Sequence, residues 1–234
     1  MKAPLMNTLR PELPPLPARL ARLPIDERGY PVPYFVEWID GKPDHRVMAA
    51  DKMPRALKLG LCWMCGEPLG AFKAFCIGPM CAITRSISEP PSHLECLHYA
   101  VRACPWMTRP HAKRRGAGLP EDARDGAGLP IKRNPGVVCL WVTRAFRPYR
   151  TDQGNTGMLF ELGEPVATEW WREGRPATRA EVEESVASGL PLLEELARAE
   201  DAQRPGTWAM GDLDRRCSGL RSLLDRAFSS GVAS

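Results

Sequence analysis

The sequence lacks a hydrophobic run long enough to cross a membrane. Its 234 residues are 44% hydrophobic, but no stretch approaches the roughly 18 consecutive apolar residues of a transmembrane helix. The N-terminal segment MKAPLMNTLRPELPPLPARLARLP is interrupted by prolines and has no apolar centre, so it does not resemble a secretory signal. These absences predict a globular, cytoplasmic protein with no membrane partner.

Common catalytic motifs are also missing. There is no glycine-rich phosphate loop, no GxSxG elbow and no HExxH pair. Histidine occurs only four times. Apart from His93, general acid–base chemistry would have to use His45, His98, His111 or a carboxylate, and no spacing brings these together. The sequence therefore leaves enzymatic activity uncertain and favours binding over catalysis.

Cysteine, in contrast, is plentiful, with eight residues in the chain. In a chain of this length without an export signal, cysteines are better explained as metal ligands and buried thiols than as a disulfide framework. The stretch LCWMCGEPLG holds Cys62 and Cys65, followed at once by Gly66. Such a pair is typical of a disulfide, a redox centre or half of a metal site. A redox pair should begin a helix and have no second ligand pair nearby.

A second pair with metal-ligand spacing lies downstream. In EPPSHLECLHYAVRACP, His93 and Cys96 repeat the two-residue gap. Ser92 and Glu95 fit the capping-box pattern, and the apolar spacing predicts a helix over residues 93–103. On that helix, the imidazole and the thiol share one face of the first turn. The redox interpretation is therefore disfavoured.

The residues Cys62, Cys65, His93 and Cys96 form one predicted tetrahedral site. Residues 60–104 resemble a treble-clef zinc finger, in which a β-hairpin lies between the two ligand pairs. Because all four predicted ligands come from the protein, no position is left for an activated water, and a Zn²⁺ ion here would be structural. An iron–sulfur cluster or no metal at all are the alternatives.

Other cysteines and histidines compete with these ligands to different degrees. Cys104 lies about 12 Å beyond Cys96 along a helix, which is too far to share its ion. His98 points about 200° away from Cys96 around the same helix. Cys76 or Cys81 could replace one of the four ligands if a hairpin folds back, although burial as a core thiol is the simpler explanation.

Positive charge is concentrated in the middle of the chain. Residues 101–135 contain 8 Lys and Arg against 3 Asp and Glu, whereas the whole chain has a net charge of only +4. Glycine and proline in RPHAKRRGAGLPEDARDGAGLPIKRNPG predict a mobile loop. Its basic clusters can contact nucleic-acid phosphates, although such runs are more often solvated loops. The candidate nucleic-acid contacts are Lys113, Arg114, Arg115, Lys132 and Arg133.

The remaining patterns predict a hairpin over residues 29–48, a short helix over 51–59 and two strands, GVVCLWVTRAF and GMLFELG, joined by the turn RPYRTDQGNT. The segment beginning TEWWREGRPATRAEV is expected to be helical, with a capping box at Thr178 and Glu181 and a stop at Gly189.

The predicted segments are a Pro-rich arm (1–24), a β-hairpin plus zinc-finger module (25–108), a basic flexible loop (109–136), a β-hairpin plus helices (137–204) and a C-terminal amphipathic helix (205–234).

In overall layout, the chain resembles a family of small uncharacterised proteins associated with phages and prophages. The stretches that carry the resemblance are LCWMCGEPLG, GPMCAITR, EPPSHLEC with RACP downstream, and WWREGRPATRAEVEESVASGLPLLE. The resemblance implies a phage setting and a treble-clef-like zinc finger, but it implies no activity.

Together these observations predict an α+β protein with small antiparallel sheets and helices around a treble-clef-like structural zinc site. The predicted function is non-catalytic nucleic-acid binding. The alternative is a protein–protein interaction module, such as an inhibitor of a host or defence factor, with the Pro-rich arm and the C-terminal leucine helix as contact surfaces. An HNH-like nuclease is a further alternative, but residues 66–92 contain no histidine for its catalytic strand.

Overall fold

Helices and small antiparallel sheets alternate along the chain. The computed structural model describes residues 8–109, 119, 126–128, 134–151, 157–203 and 209–229. The strands are β1 (Val36–Ile39), β2 (Lys42–Met48), β3 (Lys73–Ile77), β4 (Ser86–Ile87), β5 (Val138–Thr143), β6 (Phe146–Thr151), β7 (Gly157–Leu162), β8 (Pro165–Arg172) and β9 (Arg175–Pro176). The helices are α1 (Lys52–Leu59), α2 (Pro79–Thr84), α3 (Leu94–Ala103), α4 (Pro105–Thr108), α5 (Arg179–Gln203) and α6 (Ala209–Ser229). This architecture confirms the predicted α+β class.

The predicted N-terminal hairpin is present as β1 and β2. Its turn consists of Asp40 and Gly41, whose φ angles are 50° and 79°. Two successive positive φ angles are typical of a type I′ turn, which matches the twist of a two-residue hairpin. The connection contains only these two residues, because Lys42 and Pro43 already belong to β2.

The main sheet has four strands in the order β3-β5-β8-β9. β5 lies between β3 and β8 and is antiparallel to both. Its residues alternate between two covered faces, with Cys139 and Trp141 on one and Leu140 and Val142 on the other. A strand covered on both faces needs few polar residues, which explains the apolar run VCLWVT.

Different layers cover the two faces of this sheet. On one face, Leu97 and Val101 of α3 pack against Leu140 and its neighbours. On the other face lie α2, α5, α6 and a three-stranded sheet of order β4-β7-β6, packed around the buried rings of Trp141 and Phe160. This second, larger cluster is the main hydrophobic core.

The segment between the two ligand pairs does not form the local hairpin that was predicted. It contains β3, α2 and β4, and β3 pairs with the distant β5. The apolar residues of β3 are buried in the main sheet, a long-range pairing that no local pattern indicates. The predicted capping box at Ser92 is also wrong. His93 is the N-cap of α3 without a side-chain cap bond, while the Ser92 backbone bonds to Ala74.

Two further segments differ from the expectation. RPYRTDQGNT, predicted as a turn, contains most of β6, and Phe146 at the start of that strand packs edge-on against Phe75 and Phe160. TEWWR, assigned to the helical region, belongs to β8, whose Trp170 is buried in the main core. Trp170 is buried and Phe146 partly buried through strand pairing, which tertiary context decides.

The capping box predicted for α5 is confirmed. The Glu181 N–H donates to Thr178 Oγ1 at 3.3 Å, and the Thr178 N–H donates to Glu181 Oε2 at 2.8 Å. The predicted stop at Gly189 is wrong, because α5 continues through Pro191 to its end at Gln203. Packing of one buried stripe outweighs the low helix propensity of these two residues. The stripe consists of Ser185, Gly189, Leu193 and Ala197.

The C-terminal amphipathic helix predicted over residues 205–234 is present as α6, and its apolar stripe faces the main core. Its members are Leu213, Cys217, Leu220, Leu224 and Phe228. The stripe is therefore covered by the protein itself. None of the described helices combines the length and the apolar character that a bilayer crossing requires.

The chain segments on either side of the predicted basic loop are joined. The pairing of β3 with β5 connects them in the main sheet. In addition, Asn134 Nδ2 donates to the backbone oxygens of Trp106 and Arg109, at 3.0 and 3.1 Å. Arg109 and Asn134 therefore lie next to each other, just beyond α3 and α4.

Candidate metal centre

The structure brings the four predicted ligands together. The donor atoms of Cys62, Cys65, His93 and Cys96 all lie within 4.8 Å of one another. His93 Nδ1 is 3.4 Å from Cys65 Sγ and 3.9 Å from Cys96 Sγ. The three cysteines are buried and the histidine is half-buried. This group could hold one metal ion.

Backbone N–H groups converge on the sulfur atoms. The amides of Cys65 and His93 donate to Cys62 Sγ at 3.5 and 3.3 Å, and the amide of Glu67 donates to Cys65 Sγ at 3.5 Å. The tight turn that aims these amides is closed by the Gly66 N–H, which donates to the Cys62 carbonyl oxygen at 2.9 Å. Such bonds stabilise negative charge on sulfur, as expected for ligating thiolates.

The second ring nitrogen of His93 fixes its tautomer. Nε2 lies 3.0 Å from the Pro68 carbonyl oxygen. Since a carbonyl oxygen only accepts, Nε2 carries a proton, and in the neutral imidazole Nδ1 then has a lone pair on the side of the sulfur atoms. Orientation of a ligating imidazole by a backbone carbonyl is usual in metal sites.

The electrostatics of the three thiols favour a cation between them. Hydrogen bonds from Cys65 and Cys96 lower the pKa of Cys62. The same bond to Cys62 raises the pKa of Cys65 to about 11, and the interaction with Cys62 also raises the pKa of Cys96. Ionisation of the Cys62 thiol therefore makes ionisation of the other two thiols less favourable. A divalent cation removes this conflict because it stabilises every adjacent thiolate.

Aromatic residues attach the CxxC turn to the β1–β2 hairpin. Trp63, between the two cysteines, stacks on Phe35 with ring centroids 5.3 Å apart. Gly66 has a φ of +75°, and a Cβ atom there would lie 2.7 Å from the ring of Tyr34. Glycine is therefore required both for the backbone conformation and for the close approach of the ring. The backbone N–H of Trp63 also donates to the Pro91 carbonyl oxygen at 3.0 Å, which connects the CxxC turn to the segment before His93.

The described part of the N-terminal arm packs over the metal centre. Leu20 is fully buried against Cys62, Cys65 and Cys96, together with half-buried Leu13, Leu16 and Leu23. Arg19 pairs with Glu67, beside the CxxC turn, and with Glu95 of α3, where the Nε to Oε1 distance is 2.9 Å. The arm therefore bridges the two ligand pairs.

The cysteines that remained open alternatives lie elsewhere. The cluster of donor atoms includes neither Cys76 nor Cys81. Cys76 is on β3, where its thiol contacts Met107 Sδ at 3.9 Å, and burial raises its pKa. Burial also raises the pKa of Cys81 to about 11. Cys104 is the C-cap of α3, and Cys139 is fully buried in the main core. These four cysteines lie outside the cluster of candidate ligands, and burial raises the pKa of each thiol.

The other histidines sit in separate environments. His45 Nε2, on β2, lies 3.2 Å from Asp26 Oδ2, and burial lowers the pKa of this histidine. His98 Nε2, on α3, lies 2.6 Å from Glu169 Oε2. His111 lies outside the described residues. Among the residues that the structure does describe, the histidines are not gathered into one site besides the metal centre.

The five predicted nucleic-acid contacts, Lys113, Arg114, Arg115, Lys132 and Arg133, also lie outside the described residues. Sequence reasoning missed the bridge from Arg19 to Glu67 and Glu95. The alternation of leucine with arginine in PARLARL was the one signal that could have suggested an arm with one buried side. No family model, curated protein or solved structure matches the chain.

Proposed function

We propose that the protein is a non-catalytic, zinc-stabilised protein that binds nucleic acid. The observation that carries the proposal is the closed set of four protein donors around one point. With four protein ligands, a bound ion keeps no open position for water or substrate, so it acts on the fold and not on a reaction.

The donor set fits Zn²⁺. With Zn–S of about 2.3 Å and Zn–N of about 2.0–2.1 Å, tetrahedral donors should lie about 3.5–3.8 Å apart. The sulfur–nitrogen distances of 3.4 and 3.9 Å bracket this range. Cys62, Cys65, Cys96 and His93 Nδ1 would hold the ion. The ion would supply a cross-link between the CxxC turn and α3, and it would neutralise the negative charge of the thiolates.

Nucleic-acid binding is supported by the charge of the basic segment and by the position of the residues that flank it. The segment starts after Arg109 and ends before Asn134, which lie side by side at the end of the α3–α4 unit. Charge in this part of the chain is strongly positive, with 8 basic against 3 acidic residues over 101–135. A basic segment whose flanking residues lie next to α4 is suited to contact phosphates without sequence preference.

The experiment has two parts. Elemental analysis of the purified protein should give one zinc per chain; iron or no metal would contradict the zinc assignment. Affinity for single- and double-stranded oligonucleotides is then measured at two salt concentrations. Neutralising the five basic residues together should weaken binding to every sequence and reduce its salt dependence, because fewer counterions are released. Wild-type binding no tighter than about 10⁻⁴ M at low salt would remove nucleic acid as the partner.

A protein–protein interaction module is the second candidate, and a phage or prophage setting is part of both proposals. The sequence predicts the Pro-rich arm and the C-terminal leucine helix as the contact surfaces. Both pack against the protein itself, since Leu20 of the arm is buried on the candidate metal centre and the α6 stripe is buried in the main core. Affinity purification of the intact protein with identification of co-purifying proteins tests this candidate.

A further inference from the structure

An exposed aromatic side chain, Phe72, lies just before the start of β3. Phe72 is 49% exposed, and Leu59 at the end of α1 is 52% exposed. Residues near the end of α1 and Lys73, the residue after Phe72, line one hollow of about 140 Å³. An exposed aromatic ring offers a planar ligand a surface for stacking.

Two cations border the patch formed by the Phe72 ring, and a third is at the end of α1. The guanidinium carbon of Arg144 lies 4.5 Å from the centroid of the Phe72 ring. Lys73 follows Phe72 directly, and its ammonium group donates to the Ala71 carbonyl oxygen at 3.2 Å. Lys58 lies in the last turn of α1. Within the described part of the chain, none of the three cations is paired with a carboxylate. The patch therefore attracts a ligand that is both anionic and able to use an apolar surface.

We infer that this surface binds single-stranded nucleic acid, with Phe72 stacked on an unpaired base and the three cations contacting phosphates. The inference rests on the proposed function and names its ligand class. We name this surface the Phe72 surface, and it consists of Lys58, Leu59, Phe72, Lys73 and Arg144.

The exposed ring is what favours a single strand over a duplex. In a duplex the bases are already stacked on one another, so a protein surface mainly meets phosphates and gains little from an aromatic ring. In a single strand each base has a free face, and stacking on an aromatic side chain is tolerant of sequence. Arg144 supports the Phe72 ring through a cation–π contact while half of the side chain remains open.

The test compares Phe72→Ala with wild type in the full-length, metal-loaded protein. Binding of a fluorescent oligothymidine about 15 nucleotides long should weaken about 5- to 150-fold, the range for the loss of one stacked base. Binding of a duplex of the same length should not change. Phe72→Trp should retain single-strand affinity. Trp38→Ala is the matched control, because Trp38 is also an exposed aromatic residue, 39% accessible, on the separate β1–β2 hairpin. It should bind like wild type.

A triple variant, Lys58→Gln, Lys73→Gln and Arg144→Gln, tests whether the cations of the Phe72 surface neutralise phosphates. It should reduce the slope of log K against log salt by about 0.7 for each phosphate of a single strand that the variant leaves unneutralised. Metal content and circular dichroism are measured for every variant. If Phe72→Ala does not fold, Phe72→Leu replaces it, since leucine keeps the apolar volume but offers no ring.

The possible failures are distinguishable. If wild type binds neither single strands nor duplexes, both the inference and the proposed function are overturned. If wild type binds and Phe72→Ala binds equally well, while the five-site variant of the basic segment is weakened, only the inference is overturned. If polyglutamate competes as strongly as oligothymidine, charge alone explains the binding and stacking on Phe72 is rejected.

Discussion

The metal centre and the main core of this protein are stabilised in different ways. Among the described residues, the cluster around the candidate metal centre contains six buried residues, of which three are candidate ligands: Leu20, Cys62, Cys65, Cys96, Tyr99 and Ala103. In the same part of the chain, the main core contains twenty buried residues, including Phe75, Trp141, Phe160 and most of the α6 stripe. Without its three cysteines, the smaller cluster has too little apolar surface for an independent fold.

This difference indicates what each region depends on. A small cluster built around four candidate ligands would gain its stability from a bound metal, since the binding free energy of a structural ion is largely folding free energy. The main core gains its stability from burial of large apolar side chains, which needs no ion. Both regions are attached to the same sheet through β3, so the comparison can be made within one molecule.

The largest expected effect is loss of a ligand. Cys65→Ser should abolish stoichiometric metal binding and destabilise the metal region by several kcal/mol, part of the roughly 10–16 kcal/mol of apparent binding free energy in zinc-finger peptides. Hydrogen exchange should increase over residues 8–24, 60–70 and 92–104, while β5, α5 and α6 keep their protection. Cys104→Ser is the matched control and should cost only about 1 kcal/mol. Equal melting temperatures for the two variants would contradict the ligand assignment.

The second prediction concerns the main core. Phe160 is fully buried. Phe160→Ala should lower the free energy of unfolding by about 3–5 kcal/mol, because the free energy gained by removing the ring from water is lost and a cavity is left in the core. The variant that still folds should contain the same amount of metal per chain as wild type. Chemical denaturation and elemental analysis measure the two quantities. Loss of metal from a folded Phe160→Ala protein would show that metal binding depends on the packing of the main core.

The third prediction compares two glycines near the metal centre. Gly66→Ala should destabilise the protein by more than the about 1–2 kcal/mol typical of a left-handed backbone, because its Cβ would also overlap the Tyr34 ring. Gly60→Ala has a similar φ of +62° but no atom within 4 Å of the added Cβ. Gly60→Ala should therefore be destabilised only by the about 1–2 kcal/mol of the left-handed backbone conformation. Thermal unfolding of both variants distinguishes the two contributions, and equal losses would argue against tight packing of Tyr34.

The smallest expected effect concerns the cap of α5, on the main-core side of the comparison. Thr178→Ala should cost about 1 kcal/mol. The hydrogen bond from Arg175, then that from the Thr178 amide, lowers the pKa of Glu181 to about 2. Because the folded-state pKa lies below the ordinary value of 4.5, the stabilisation is present above pH 4.5 and is lost as the pH falls towards 2.

Urea unfolding between pH 2 and pH 6 measures the effect of this carboxylate. Glu181→Gln should reduce the pH dependence over that range while leaving the metal content unchanged at neutral pH. An unchanged pH profile would mean that Glu181 does not contribute to the stability of α5.

Local elements were largely predictable from the sequence. The alternation around Asp40 and Gly41 indicates a hairpin, and the spacing of Leu94, Leu97 and Val101 indicates α3. The paired two-residue gaps in CxxC and HxxC identify the four donors, because ligand geometry limits which spacings can reach one ion. These inferences depend on residues within one or two turns of each other, where chemistry and spacing are sufficient.

Long-range relations were not predictable in the same way. Nothing near β3 indicates that it pairs with β5 and not with its own neighbours, and Gly189 followed by Pro191 suggests a helix end that packing overrides. The position of Arg19 between Glu67 and Glu95 likewise depends on the arm folding back over the site. Such contacts are decided by which apolar surfaces become buried together, and many pairings are compatible with one local pattern.

The sequence by itself determined the α+β class, the identity of the candidate metal ligands and the amphipathic character of α6. Only the tertiary structure decided that the N-terminal arm covers the metal centre, that the α6 stripe faces the main core and that Phe72 stays exposed beside Arg144. The physical reason is the range of the interactions. Periodicity and ligand spacing act between residues close in the chain, whereas burial is a property of the whole packed molecule and leaves no local signature.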